Sequence, residues 1–137
     1  MQIPETENAL VLRSDFSSDA AWTELQETLR RPQGLFKANC DYLSNRDFEG
    51  VEPGSIPSML RAESRHTFMF IADRRTFAHP DKPLLAVDLF DERMLTFRVA
   101  LMSLGCVENN LSLGNSDFDD FVNSLDEDGV FRFSWPE

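Results

Sequence analysis

The 137-residue chain carries 13 basic and 24 acidic side chains, a net charge of −11, with 42% hydrophobic residues and twelve phenylalanines. That apolar content excludes a disordered chain and suffices for one compact domain with its own core. The negative balance disfavours phosphate backbones and anionic membranes as partners and favours a basic protein.

Residues 1–8 are polar and read as a loose tail. The apolar run from Ala9 to Arg13 predicts a buried strand. Ser17, Ser18 and Asp19 offer cap side chains for a helix in which Ala21, Trp22, Leu25 and Leu29 recur at helical spacing. Pro32 and Gly34 stop it. Phe36 to Leu43 suggests a second strand, residues 44–54 a loop, and Ser55 to Glu63 a short helix with Pro57 in its first turn. His66 to Asp73, around Phe68, Met69, Phe70 and Ile71, predicts a central strand buried on both faces.

Arg74 to Pro83 reads as a connection, Leu84 to Leu89 as another buried strand, and Asp91, Glu92 and Arg93 as a tight turn. Thr96 to Leu101 alternates Phe97, Val99 and Leu101 inward, which completes an antiparallel meander of three strands. Val107 to Asn115 reads as a polar connection. Ser116 and Asp119 fit a capping box for a helix starting at Asp117, with Phe118, Phe121, Val122 and Leu125 as its stripe. Val130 to Phe133 predicts an edge strand. The sum is one domain over residues 1–137. Its expected class is an α+β sandwich, a mainly antiparallel sheet of about five strands with two or three helices mostly on one face.

No run of eighteen apolar residues is present, and the N-terminus lacks a basic and apolar leader pattern. Two cysteines, Cys40 and Cys106, are too few for a disulfide framework. A cytoplasmic protein with reduced thiols is the expectation, and the sequon at Asn110 to Ser112 carries no weight without a secretory signal.

The residues with chemical potential are scattered. Asn115, Asp117 and Asp119 open like a calcium loop, but Asp120 stands where the turn needs glycine, so capping is the preferred reading and no metal or cofactor is expected. Glu108, Asn109 and Asn110 supply a general base and amides for a polar ligand, or else brace an irregular backbone. His66 is a candidate base or ligand at a strand end; His79 lies in a proline-rich loop. Asp15, Asp73 and Asp88 each mark a strand end and would cluster with His66 and Arg13 if those ends were neighbours. A salt bridge of one such aspartate with Arg13, Arg74 or Arg98 is the plainer alternative. Asp88, inside an apolar strand, must be partnered.

Five segments together resemble a family. They are Ala9 to Phe16, Ala20 to Trp22, His66 to Asp73, Val87 to Leu89 and Val107 to Phe121. The chain is similar to small bacterial and fungal proteins grouped as DUF6924, a domain of unknown function. It departs from that pattern at Ser14, at Leu113, Gly114 and Ser116, and around Arg93 and Met94. The resemblance implies no activity and transfers no catalytic residue.

Two functions remain open. Residues 105–137 hold Arg132 against eight acidic groups. That imbalance suggests an immunity- or antitoxin-like protein that occupies a basic partner through Asn109, Asp119, Asp120, Asp126, Glu127 and Asp128. The alternative is a small cofactor-independent enzyme, a cyclase, isomerase or lyase, built on His66, Asp88, Glu108 and Asn110 around one pocket.

Overall fold

The computed structural model describes residues 1–134. In chain order the elements are β1 (Ala9–Arg13), α1 (Asp19–Leu29), β2 (Cys40–Leu43), α2 (Ile56–Met59), β3 (Phe68–Ala72), α3 (Arg74–Ala78), β4 (Leu84–Asp88), β5 (Thr96–Val99), α4 (Leu104–Ser112), α5 (Phe118–Val122) and β6 (Val130–Phe131). Short 3₁₀ turns cover Arg46–Phe48, Pro53–Ser55 and Leu101–Ser103.

The six strands form one mixed sheet in the order β2-β1-β3-β4-β5-β6. Strands β3, β4 and β5 make the expected antiparallel meander. The rest differs from the expectation. Strand β1 is parallel to both β2 and β3, and β5 is parallel to β6. The class is therefore α/β, not an α+β sandwich with a mainly antiparallel sheet. Parallel neighbours need a long crossover between them, and the segments holding α1, α2, and α4 with α5 supply three.

The period-2 alternation splits the core across the sheet. Val11, Phe70, Ala86, Phe97 and Val99 meet α1, α4 and α5 through Trp22, Leu25, Leu104, Val107, Phe118 and Phe121. On the opposite face Leu10, Leu12, Met69, Ile71 and Val87 are covered by Ile3, Phe48 and Ile56. Five buried residues in a row make β3 the doubly covered centre.

The N-terminal residues are not a loose tail. Ile3 is fully buried and its N–H donates to the Met59 carbonyl at 2.8 Å. A terminus is loose only when nothing ties it down, and here one isoleucine fills the second core.

Helix α1 starts where the Ser18 hydroxyl accepts the Ala21 N–H at 3.1 Å. At its other end Gln33 reaches back, donating to the carbonyls of Thr28 at 3.1 Å and Arg31 at 2.7 Å. Its oxygen faces Gly105 of α4, where an added Cβ would stand 2.9 Å from it and 3.2 Å from the Phe36 Cβ. Only a residue without a side chain lets α4 lie this close. Gly105→Ala should cost about 1–3 kcal/mol through overpacking, read as a lower urea midpoint with an unchanged slope.

Candidate functional site

The segment from Val107 to Ser112, expected as a connection, is helical. Leu104, Val107 and Leu111 give it an apolar stripe on the core. Polar residues at 108–110 disguise that stripe in the sequence. Glu108 is only 2% exposed. Its carboxylate accepts the Asn39 N–H at 2.6 Å, the Asn109 amide at 2.9 Å and the Ser112 hydroxyl at 2.5 Å. Asn109 also donates to the Lys37 carbonyl at 2.9 Å, and Asn110 donates to the Cys106 carbonyl at 2.8 Å. Glu108 and Asn109 clamp α4 to the segment before β2, while Asn110 bonds back within α4 itself. Burial, with the charges of Glu108 and Asp41 beside it, pushes the Cys40 thiol far above its ordinary range. Burial likewise raises the Cys106 thiol, against a smaller opposing effect of Asn110. Neither is an activated nucleophile.

The three strand-end aspartates divide between opposite ends of the sheet. Asp88 pairs with Phe68 in the β3–β4 register, whereas Asp73 follows the other end of β3. Burial favours the neutral form of Asp73, but the bidentate Arg98 pair at 2.7 and 2.8 Å outweighs it, helped by Thr76. Its pKa is therefore lowered. Asp88 has no ion pair among the described residues; it accepts the N–H groups of Phe90 at 3.0 Å and Asp91 at 3.3 Å. Arg13 does not join such a cluster either. Its guanidinium donates to Asp19 at 2.9 Å and stacks over Phe16 at 4.3 Å.

Asp119, Asp120, Asp126, Glu127 and Asp128 are at the surface but not all free. Asp119 takes both oxygens to Arg93 at 3.1 and 3.0 Å. Asp120 accepts the Asp117 N–H at 2.8 Å, which moves the helix cap from Ser116 to Asp117. Asp126 and Asp128 share Arg132, at 2.9 and 2.8 Å, and Asp81 joins them at 2.9 Å. Glu127 stays exposed with no ion pair among the described residues.

Two adjoining cavities open at the end of the sheet where β3 begins, and both are lined by Thr67 and Phe68. One, of about 600 Å³, holds His66, Arg65, Glu5, Glu7, Glu63 and Ser112. The other, of about 490 Å³, holds Asp88, Asp91, Asp117, Asp119 and Arg93 above Leu111 and Phe118, with Phe90 at its edge. Phe90 is 84% exposed. His66 and Asp88 therefore line different cavities, and Glu108 and Asn110 line neither. The four do not converge on one pocket. Among the described residues no three His, Cys, Asp or Glu side chains are grouped to hold a metal ion.

The DUF6924 family model, a domain of unknown function, matches residues 8–134. The chain belongs to this family. No curated protein matches it. In this DUF6924 member no helix among the described residues is long and apolar enough to cross a membrane.

Sequence reasoning missed Phe90, Arg93 and Leu111 as parts of a site. The signal was Phe90 itself, an aromatic residue set directly before the charged turn Asp91, Glu92 and Arg93.

Two outcomes follow from these contacts. Glu108→Ala leaves the Asn39 N–H without its partner and should cost about 1–3 kcal/mol, measured by urea unfolding. Glu5 accepts the Arg65 N–H at 2.6 Å and the Ser64 hydroxyl at 2.8 Å, bonds that lower its pKa. A depressed carboxyl stabilises above its unfolded pKa of about 4.3 and loses that contribution as pH falls through the lower folded value. Exchange of the Arg65 amide, normalised to its intrinsic rate, should therefore rise below about pH 4, and in Glu5→Ala should already be fast at neutral pH.

Proposed function

We propose that this protein is a binding module, immunity- or antitoxin-like in action, that occupies a basic surface of a protein partner. The observation that carries the reading is the charge of the paired cavities. Seven carboxylates, Glu5, Glu7, Glu63, Asp88, Asp91, Asp117 and Asp119, line them against the guanidinium groups of Arg65 and Arg93. Beneath that rim lies an apolar floor, and Phe90 stands out beside it as an anchor. Exposed aromatic groups within a charged rim are the usual makings of an interface hot spot, while the acidic field speeds encounter with a basic patch. The cluster around Arg132 is a smaller docking surface, with three carboxylates, Asp81, Asp126 and Asp128, on one cation.

The test is direct association of the purified chain with the products of its neighbouring genes, measured at two salt concentrations. A basic partner should bind, and more weakly at high salt. Phe90→Ser and Asp117→Lys should each weaken binding by about tenfold or more, roughly 1.4 kcal/mol, while Glu127→Lys changes little. If no neighbouring product binds, or Glu127→Lys is the damaging change, the reading fails.

A further inference from the structure

The opposite end of the sheet carries a different kind of opening. The winding direction reverses at β1. From β1 the chain crosses one face through α1 to β2, then returns over the other face through α2 to β3 on the far side. Such a reversal leaves a crevice outside the carboxyl ends of the strands, because the covering segments diverge there. A cavity of about 450 Å³ occupies that place, within the size range of small-molecule sites. Its apolar wall is Val51, Ile71 and Leu85.

The charges in this crevice separate into used and unused groups. Arg98 spends both terminal nitrogens on Asp73, at 2.7 and 2.8 Å. Glu49 faces Arg46 at 3.6 Å. Arg74 and Glu52 line the same cavity, and their side chains have no hydrogen bond or ion pair among the described residues, with each other or with anything else. Asp15 uses one oxygen on the Ser17 hydroxyl at 2.8 Å and leaves the other without a partner among the described residues. A single metal ion does not suit this set, since Asp73 is already held by Arg98 and Arg74 would repel a cation. A bare anion does not suit it either, because Glu52 and Asp15 oppose it.

We propose that the crevice binds a free α-amino acid. Its carboxylate pairs with Arg74, its ammonium group with Glu52 and Asp15, and an aliphatic side chain lies on Val51, Ile71 and Leu85. One cation and its opposing carboxylates, near each other but unpaired, complement a ligand that carries both charges at once. Planar guanidinium donors match a carboxylate in two places. This site is independent of the acidic cavities at the other end, so either can fail alone.

The experiment is calorimetric titration of the full chain with each standard amino acid, its N-acetyl derivative and its methyl ester. At least one aliphatic amino acid should bind, and blocking either its amine or its carboxylate should abolish binding. Arg74→Gln and Glu52→Gln should each weaken the ligand about tenfold or more while urea midpoints stay unchanged, as expected for exposed side chains. No binding by any amino acid at about 10 mM, a concentration that would detect even millimolar dissociation constants, overturns the proposal. So does binding that survives both substitutions or both blocked forms.

Discussion

Strand β1 lies between two parallel neighbours, and the remaining architecture answers to that placement. A parallel neighbour on each side obliges the chain to leave the sheet twice, once over each face, so neither face of β1–β3 can stay open to water. Helix α1 meets one demand with Trp22, Leu25 and Leu29. The other face has no comparable helix. It is closed by the isoleucine of the N-terminal segment, by Phe48 from a 3₁₀ turn and by Ile56 from the four-residue α2. That economy explains why residues 1–8 are fastened down.

Arg13 makes the junction at the end of β1 hold. Its guanidinium is buried at 3% exposure and donates to the Asp15 carbonyl, the Ser44 hydroxyl and Asp19. One side chain thus ties the end of β1 to the start of α1 and to the loop after β2. Phe16 and Trp22 close over it at 4.3 and 5.7 Å, where a flat cation on aromatic faces loses little by leaving water. Glu108 does the equivalent task on the far side of α1, fixing α4 to the segment before β2. Both are buried charges whose use is structural.

With those charges committed, other charged groups line the cavities at the two ends of the sheet. One end carries an excess of carboxylates over an apolar floor; the other holds opposite charges around the crevice at β1 and β3. The division follows from strand direction. Asp73 follows β3 while Asp88 closes the antiparallel β4, so two aspartates in similar sequence contexts are carried to opposite ends.

The sequence by itself determined most of the sheet and α1, but not α3, since Arg74–Ala78 reads as part of a connection. The bounds of β1, the capped start of α1, the buried centre of β3 around Phe68 to Ile71 and the antiparallel meander were all legible, because each depends on local periodicity, caps and turn residues. The family was legible too, and it brings no activity with it. Strand direction was not, since a helix between two strands signals a crossover only once the strands are known to pair. Helix α4 was hidden because Glu108 and Asn109 look like loop residues until their partners at Asn39 and Lys37 are known, some seventy positions away. The candidate sites were hidden for the same reason. Whether His66, Asp88, Glu108 and Asn110 meet is a matter of three-dimensional placement, and tertiary packing put His66 and Asp88 in separate cavities, spent Glu108 on bracing and left Asn110 bonded within its own helix.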